Sequence, residues 1–408
     1  MAVIIAGGGI GGLCAALAPD AIGVRSTVLE QVGEIRALGV GINLLPHAVR
    51  VLTALGLHDD LSAAAIHTGE LAYFNKHGQE IWREPRGRVA GYDHPQFSIH
   101  RGELQMRLLR AAEARLGADR IIRGARVTGF TQTDDAVTVS LADGRQVTGD
   151  LLIAADGIHS AIRAQLYPDE GAPIWNGRVL WRAISENQPQ FLTGRTMIMA
   201  GHQDQKFVCY PICPDALAQG RARINWIAEL AFDKAGGWRR EDWNRAGDPR
   251  DFAPRFASWK FPWLDVPALI ASTSAIYEYP LVDRDPAACW TFGRVTLAGD
   301  AAHPMYPIGS NGASQAILDA ECLAAEIARL GETGAALEAY EAQRRPPTSA
   351  IVLANRGNGP EQVMQMAEER APDGFARIED VIAREELEAV SARYKQVAGF
   401  AKDAVNRR

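Results

Sequence analysis

Short apolar runs that end at glycines or acids open the chain. Residues 2–6, AVIIA, are uninterruptedly apolar and end at a glycine, which is typical of a buried strand. Residues 11–18, GGLCAALA, have the small and apolar side chains of a helix start, and residues 26–30, STVLE, form a second apolar run that ends on an acid. The pattern predicts a strand, a turn, a helix and a second strand, the unit from which parallel sheets are built.

Two later apolar runs also lead into polar, glycine-containing turns. Residues 149–163, GDLLIAADGIHSAIR, predict a strand that leads into Asp156, followed by a helix that carries Arg163. Residues 294–320, RVTLAGDAAHPMYPIGSNGASQAILDA, predict a strand that ends on Asp300 and a helix that starts on small residues. Such a helix start can direct backbone N–H groups at an anionic or electron-poor group. The alternative is a glycine-rich connection without a ligand.

Residues 175–290 have a different pattern, in which apolar and polar positions alternate. The alternation runs through RVLWRAIS, RTMIMAG, KFVCYPI, RARINWIAEL and STSAIYEYPLV. Period two over short runs predicts the strands of a mostly antiparallel sheet. Seven of the nine tryptophans fall between Trp175 and Trp263, so the inward face could line an aromatic pocket, with simple core packing as the alternative. Residues 356–408 are charged and helix-like, and they either cap the fold or contact a partner.

The first turn contains Gly7, Gly9 and Gly12 in the order GxGxxG, and Glu30 follows roughly 20 residues later. In a dinucleotide site the first glycine permits the tight turn, the second admits the pyrophosphate, and the third allows the helix to pack closely on the strand. The acid then binds a ribose, and the helix N-terminus offers its N–H groups to the phosphates. The motif predicts NAD or FAD, and the alternative is a tight turn without a ligand.

Composition and charge narrow the class of protein. The chain has 408 residues and a formal net charge of −6, which disfavours a nucleic-acid partner. The apolar start lacks the basic residues of a signal peptide, and no other run approaches the roughly 18 apolar residues of a membrane span. Five cysteines occur without a CxxC pair or a Cys/His cluster. We therefore expect a cytoplasmic protein with no membrane span and no bound metal.

Together, the GxGxxG, Asp156 and Asp300 segments resemble three marks of the class A flavoprotein monooxygenases, the aromatic hydroxylases with a para-hydroxybenzoate-hydroxylase-like fold. The resemblance spans residues 1–355 and includes SIHRGELQMRLL, YPLVDRDP and YEAQRRP. Within the family, EQVGEIRALGVGINLLPHAV, PMYPIGSNGASQAILDA and RYKQVAGF are most similar to the methylphenazine-carboxylate hydroxylases and their relatives. Many members have Gly-Gln-Gly where this chain has Ser-Asn-Gly, and a positive φ at Ser310 would be costly.

The resemblance implies an α/β fold with a Rossmann-type FAD-binding domain, an inserted, mostly antiparallel β-sheet substrate domain and a helical C-terminus. The implied FAD-binding domain comprises residues 1–72, 99–174 and 291–355, the substrate domain comprises residues 73–98 and 175–290, and the C-terminal helical segment comprises residues 356–408.

The resemblance also implies an FAD-dependent monooxygenase that uses NADPH or NADH as a transient reductant, and O2, to hydroxylate an aromatic or heteroaromatic small molecule. FAD would be bound non-covalently, the oxidant would be a flavin C4a-hydroperoxide, and no side chain need be catalytic. We find no Tyr–Arg pair suited to a benzoate, which favours a bulky, apolar substrate. The alternatives are epoxidation, Baeyer–Villiger oxidation or dehydrogenation by the same flavin, or a flavin-binding protein without turnover. We expect a monomer or a homodimer.

By resemblance, the candidate site residues form three groups. FAD would contact Gly7, Gly9, Ile10, Gly11, Gly12, Glu30, Gln31, Arg36, Val40, Gly41, Arg101, Val127, Asp156, Gly299, Asp300, Pro307, Gly309, Asn311, Gly312 and Ala313. NAD(P)H would dock at a surface framed by Asp156 and Arg163. The candidates for the substrate pocket are His47, Trp181, Met199, Val208, Tyr210, Trp226 and Pro307. His303 is expected to form a structural hydrogen bond.

Overall fold

The computed structural model describes residues 3–233 and 245–407. Trp238 and Trp243, which belong to the predicted tryptophan-rich region, lie outside the described residues. Strands and helices are numbered in chain order.

The strands are β1 (Val3–Ala6), β2 (Ser26–Glu30), β3 (Gly41–Leu44), β4 (Ile66–His67), β5 (Glu70–Phe74), β6 (Glu80–Pro85), β7 (Phe97–His100), β8 (Ile121–Arg123), β9 (Val127–Gln132), β10 (Val137–Leu141), β11 (Gln146–Gly149), β12 (Leu151–Ala154), β13 (Ile174–Pro189), β14 (Thr196–His202), β15 (Gln205–Pro211), β16 (Arg221–Ala231), β17 (Lys260–Phe261), β18 (Leu264–Asp265), β19 (Ile276–Asp283), β20 (Thr291–Phe292) and β21 (Val295–Leu297).

The helices are α1 (Ile10–Asp20), α2 (Pro46–Ala54), α3 (His58–Ala64), α4 (Arg101–Leu116), α5 (Ala161–Leu166), α6 (Pro214–Ala218), α7 (Pro249–Phe252), α8 (Val266–Ala271), α9 (Gly312–Leu330), α10 (Gly334–Arg356), α11 (Gln362–Arg370), α12 (Arg384–Val397) and α13 (Lys402–Asn406).

A six-stranded sheet in the order β20-β21-β12-β1-β2-β8 forms the first domain. Its pairs are parallel except for the edge pair of β20 with β21. Helices α1 and α9 pack closely against each other, since a Cβ on Gly11 would lie 3.2 Å from the Cβ of Ala316. The predicted Rossmann-type domain is confirmed, and its strands come from both ends of the first 300 residues because the substrate sheet is inserted between them.

A seven-stranded sheet in the order β19-β13-β16-β15-β14-β5-β6 forms the second domain. All its pairs are antiparallel except β5 with β14, so the predicted, mostly antiparallel sheet is confirmed. Strands β5 and β6 join it from the segment before β7. The residue numbers given for the domain boundaries remain predictions.

The two faces of this sheet have different partners. One face, which we call the sealed face, carries Val179, Trp181, Ala183, Ile198, Phe207, Trp226 and Ala228. Residues 249–271 cover the sealed face, with Phe252 stacked on Trp181 at a ring separation of 4.8 Å. The other face, which we call the cleft face, carries Arg182, Met197, Met199, Lys206, Val208, Tyr210 and Asn225.

Because side chains alternate between the two faces of a strand, the prediction of a pocket position is wrong for two residues. Trp181 and Trp226 are 1% and 0% exposed in the core of the sealed face. Met199, Val208 and Tyr210 point to the opposite face, where they pack with the C-terminal segment. These two tryptophans seal the sheet and do not line the pocket, because neighbouring positions of a strand point to opposite sides.

The helical C-terminus is confirmed, and it caps the cleft face. Val363 and Met364 of α11 and Leu387 of α12 pack with Met197 and Met199 of β14. In the part of the chain that the structure describes, no helix is both long and apolar enough to cross a membrane.

Candidate active site

The glycine turn after β1 is shaped by close backbone contacts. Gly7 has φ of +105°, and a Cβ there would lie 2.4 Å from the carbonyl oxygen of Ala155. A Cβ on Gly12 would lie 1.9 Å from the oxygen of Gly7. By contrast, a Cβ on Gly9 would meet no atom of the described residues within 4 Å. Gly9 therefore borders open space that a pyrophosphate can approach.

Glu30 is fixed at the carboxyl end of β2. Its Oε2 accepts a hydrogen bond from the N–H of Gly8 at 2.7 Å, and its Oε1 accepts one from the N–H of Val32 at 2.9 Å. Each carboxylate oxygen keeps a lone pair after these bonds. The buried carboxylate is thus held beside the glycine turn, as the binding of a ribose hydroxyl requires.

The turn that carries Gly299 and Asp300 is anchored by a buried ionic cluster. Asp319 of α9 accepts from the N–H of Gly299 at 3.0 Å, from Nε2 of His303 at 2.6 Å and from Nε of Arg344 at 2.8 Å. Burial acts to raise the pKa of Asp319, but His303 and Arg344 outweigh it and hold that pKa well below its usual range. These contacts give His303 a structural hydrogen bond and fix the backbone beside Asp300.

Asp300, in the turn between β21 and α9, is exposed at its surface, although protein atoms surround it closely enough to desolvate its carboxyl group. Burial raises the pKa of Asp300, while His303 and Arg101 counteract the shift. Arg101 starts α4, its N–H donates to the oxygen of Val40 at 2.8 Å, and its side chain runs along Gly39. The fold thus brings Val40, Arg101 and Asp300 to one cleft.

Gly41 is the point at which the first domain touches the cleft face. Its N–H donates to Oδ1 of Asn225 at 2.7 Å, and its carbonyl accepts from Arg182 at 3.1 Å. A Cβ on Gly41 would lie 2.8 Å from the ring of Tyr210. Burial lowers the pKa of Arg182, which faces this contact. Gly41 is required here for close approach between the domains.

The loop before α9 rests on the C-terminal segment. Gly309 and Ser310 have φ of +68° and +57°, so the costly conformation anticipated for Ser310 is present. A Cβ on Gly309 would lie 2.1 Å from the hydroxyl of Tyr394. That hydroxyl accepts from Nδ2 of Asn311 at 3.0 Å and lies 2.9 Å from Oδ1 of Asn355. Helix α9 then begins at Gly312, with Ala313 in its first turn, and it passes close to the turn after β21, since a Cβ on Gly299 would lie 3.3 Å from the Cβ of Ala316.

A cavity lies between this loop, the cleft face and the C-terminal segment, and we call it the substrate-side cavity. About 310 Å³ there is free of protein atoms, part of it open to solvent. It is lined by Leu45, Leu71, Tyr73, Arg86, Gln96, Met197, Met199, Gly309, Ser310, Pro360, Tyr394 and Phe400. Met199 was predicted from the sequence, whereas Tyr73, Arg86, Gln96 and Tyr394 were missed.

The structure corrects the role predicted for Arg163. Its side chain is 1% exposed, and Nη1 donates to the carbonyls of Ala301 and Ala302, each at 2.9 Å. The guanidinium also pairs with Glu170. Arg163 therefore satisfies buried carbonyls in the turn after Asp300 and presents no free charge to NAD(P)H.

The remaining predicted residues are spread around the cleft. Asp156 accepts from the N–H of Ala161 at 2.9 Å, which caps α5, and burial raises the pKa of Asp156. His47 stacks on Phe400 at 5.8 Å, beneath the C-terminal segment. Ile10 begins α1, Gln31 and Arg36 are exposed in the loop after β2, Val127 begins β9, and Pro307 is exposed in the loop before α9.

These features fit FAD, because open space at Gly9, a fixed carboxylate at Glu30 and the Asp300 turn meet at the carboxyl ends of parallel strands. They define a dinucleotide-binding domain that is joined to an inserted sheet carrying a separate, lined cavity.

The comparisons with known proteins agree with this geometry. The FAD binding domain family matches residues 1–354. The chain is 48% identical to the phenazine 1,6-dicarboxylic acid hydroxylase of Lysobacter antibioticus, over 87% of this chain and 89% of that protein. It is 31% identical to 3-hydroxybenzoate 6-hydroxylase 1 of Aquipseudomonas alcaligenes, over 87% of each. Klebsiella pneumoniae HpxO, solved with FAD and uric acid, superposes with a TM-score of 0.75 at 25% identity, over 100% of this chain and 95% of that chain.

The chain belongs to the FAD binding domain family, among the class A flavin hydroxylases. It is an FAD-dependent monooxygenase of the aromatic hydroxylase type, with NAD(P)H and O2 as co-substrates, as the resemblance predicted.

Proposed function

We propose that the protein hydroxylates a fused, tricyclic heteroaromatic acid of the phenazine type. The observation that carries this proposal is the 48% identity to a phenazine 1,6-dicarboxylic acid hydroxylase across nearly the whole of both chains. The lining of the substrate-side cavity supports it, because Leu45, Leu71, Met197, Met199 and Phe400 give the cavity apolar side chains that an aromatic ring can contact.

In this proposal FAD supplies the oxygen-transfer chemistry, and the chain binds, orients and shields the reactants. Glu30 accepts a hydrogen bond from a ribose hydroxyl, and Asp300 accepts one from the ribityl chain. The N-terminus of the 19-residue helix α9 would stabilise negative charge on the bound flavin. Tyr394 and Phe400 close the cavity from the C-terminal side and exclude water.

The domain boundaries and the monomeric or dimeric state remain predictions.

The cytoplasmic location also remains a prediction. Five free cysteines among the described residues, of which Cys14 and Cys209 are buried, support it, because thiols stay reduced in a reducing compartment such as the cytoplasm. Asp156 stays a candidate for the edge of the NAD(P)H surface, without Arg163.

The proposed activity is tested by measuring NADH and NADPH oxidation with a panel of aromatic compounds. The panel holds phenazine-1-carboxylate, phenazine-1,6-dicarboxylate, 3-hydroxybenzoate and uric acid, with product detection by mass and by aromatic absorbance. We expect the phenazine acids to stimulate oxidation most and to give a product heavier by one oxygen that stays aromatic. A product with two hydrogens fewer, a ring-expanded product, or no stimulation by either phenazine acid contradicts the proposal.

The FAD contacts are tested with Glu30→Ala and Asp300→Ala. Loss of a hydrogen bond to an ionised group costs about 1.5–3 kcal/mol, so each variant should bind FAD roughly 10–150 times more weakly while remaining folded. Asp143→Ala is the matched control, because the exposed Asp143 carboxylate accepts hydrogen bonds from the backbone and side chain of Arg145, which is not a candidate FAD contact. Unchanged FAD affinity in either site variant would remove that residue from the proposed contacts.

A further inference from the structure

We propose that the substrate-side cavity contains an anion subsite, formed by Tyr73, Arg86 and Gln96, that holds a carboxylate of the aromatic substrate. This inference deepens the proposed function and rests on it. These residues lie in and after a hairpin of the inserted sheet.

The backbone brings the three side chains to the same end of the cavity. Tyr73 lies on β5, and Arg86 directly follows β6, with its N–H donating to the carbonyl of Gly69 at 2.8 Å. Gly87 then adopts φ of +52°, and a Cβ there would lie 2.6 Å from the nitrogen of Gln96. This close approach sets Gln96 beside the end of the hairpin, and all three side chains line the cavity.

Each of the three side chains has a buried polar atom without a partner. Tyr73, Arg86 and Gln96 are 1%, 8% and 2% exposed. Among the described residues, Oη of Tyr73, Nε of Arg86 and Oε1 of Gln96 have no hydrogen-bond partner. Buried polar groups are normally paired, so the two unpaired donors, the hydroxyl of Tyr73 and Nε of Arg86, point to a hydrogen-bond acceptor in the cavity, whereas the unpaired oxygen of Gln96 requires its amide group to turn before it can serve an anion. A hydroxyl and a guanidinium donate hydrogen bonds to a carboxylate, and the amide of Gln96 donates to the same group through its NH2 after a side-chain rotation.

The local charge favours an anion. Glu84 accepts from Arg86 on Oε1, and on Oε2 it accepts from Lys395 and from the hydroxyl of Ser391, each at 2.6 Å. Within this group one carboxylate faces two cations. Glu361, which also acts on Tyr73, belongs to a cluster in which two carboxylates, Glu361 and Glu229, face two cations, Lys206 and Arg178, so the excess of one positive charge remains. Burial acts to raise the pKa of Glu84, but Arg86 and Lys395 lower it, so the carboxylate stays ionised and the excess stays positive.

The position of the subsite gives it a consequence for the reaction. Gly309 and Ser310, in the loop before α9, line the same cavity as Arg86. A carboxylate held at the hairpin end would therefore fix which ring carbon faces the loop before α9. Tyr73, Arg86 and Gln96 are positioning residues in this scheme, and they set affinity and the site of hydroxylation.

The test compares acids with neutral partners on the FAD-loaded protein. Phenazine-1-carboxylate is paired with phenazine-1-carboxamide, and 1-naphthoate with 1-naphthamide, and Kd is measured from the change in the flavin absorbance. In Arg86→Met, Glu84 keeps its hydrogen bonds from Lys395 and Ser391. Tyr73→Phe removes a hydroxyl that has no hydrogen-bond partner among the described residues. Both variants should therefore fold. Arg88→Met is the matched control, because Arg88 is exposed two residues away.

We expect the wild type to bind each acid more tightly than its amide. Arg86→Met should raise the Kd of the acids about 100-fold and the Kd of the amides no more than about threefold. Tyr73→Phe should raise the Kd of the acids about tenfold. Arg86→Met should also give a mixture of products that are hydroxylated at more than one ring position. Arg88→Met should change none of these values.

Two outcomes separate the subsite from the proposed function. If 1-naphthoate shows the Arg86-dependent preference but neither phenazine acid is hydroxylated, the substrate proposal fails and the subsite stands. If Arg86→Met raises the Kd of acid and amide equally, or if the wild type binds neither acid more tightly than its amide, the proposed subsite is wrong whatever the activity shows.

Discussion

The two faces of the seven-stranded sheet are built from neighbouring residues of the same strands, yet they serve opposite purposes. On β15, Phe207 faces the sealed side and stacks with Trp226 at 5.8 Å, while Lys206 faces the cleft side and bonds Glu361 at 2.5 Å. Both side chains are almost fully buried. On the sealed face, the burial of apolar surface stabilises the folded state. The cleft face places charges and hydroxyls in the interior, where each needs a partner.

The comparison teaches that a sequence rich in tryptophan does not by itself locate a binding pocket. Trp181, Trp226 and Trp259 lie in the core of the sealed face, whereas the cavity is lined by methionines, leucines, two tyrosines, a phenylalanine and a few polar groups. We expect variants on the sealed face to change stability alone, and variants on the cleft face to change stability together with pH dependence or ligand affinity.

Phe207→Ala should have the largest effect at neutral pH. Removing a fully buried phenyl ring leaves a cavity, which should lower the free energy of unfolding by about 3–5 kcal/mol. Urea unfolding measures it, with Phe207→Leu as the control at a cost below about 1.5 kcal/mol. The Kd for FAD should not change in the folded protein. A changed Kd would show that the two faces are not independent.

Lys206→Met should cost about 3–5 kcal/mol at pH 8, because Glu361 and Glu229 would lose the cation that lies between them. Burial raises the pKa of Glu361 above its ordinary value of 4.5 even beside Lys206. A carboxyl with a raised pKa in the folded state destabilises that state as the pH rises through this pKa.

The stability deficit of Lys206→Met should therefore shrink as the pH falls from 8 to 5, whereas the deficit of Phe207→Ala should stay constant. Thermal unfolding of both variants across this range measures the difference. Parallel pH profiles would contradict the contrast between the faces.

Tyr394→Phe should cost about 1–3 kcal/mol, because Asn311 and Asn355 lose a buried partner. It should also raise the KM for the aromatic substrate, since the hydroxyl supports the loop of Gly309 and Ser310. Tyr167→Phe is the control, because that hydroxyl bonds the backbone of Cys289 away from the cavity. It should lower stability and leave KM unchanged, and equal KM changes would argue against a role of Tyr394 in the loop.

Ser310→Gly should have the smallest effect and the opposite sign. A glycine accepts φ of +57° without the steric cost that a side chain incurs, so the free energy of unfolding should rise by about 0.5–1 kcal/mol. Ser310→Ala keeps the Cβ and should give no gain. A gain in the alanine variant would trace the effect to the hydroxyl instead.

The sequence by itself determined the cofactor domain. Gly7, Gly9, Gly12 and Glu30 act within one short segment, so their spacing carries the geometry: a backbone contact of Gly12 with Gly7 and a carboxylate beside the turn. The alternation of apolar and polar residues likewise predicted the substrate sheet and its antiparallel pairing, because the two-residue period of side chains along a strand is a local property of the sequence.

Only the tertiary structure decided which face of that sheet belongs to the site and what lines the cavity. Trp181 and Met199 both occupy buried strand positions, and the sequence does not state which side another element will cover. The role of Arg163 depends on carbonyls more than 130 residues away, at Ala301 and Ala302. Arg86 and Tyr394 meet at the cavity through strand pairing and helix docking. Such contacts arise between segments distant in the chain, so no local pattern records them.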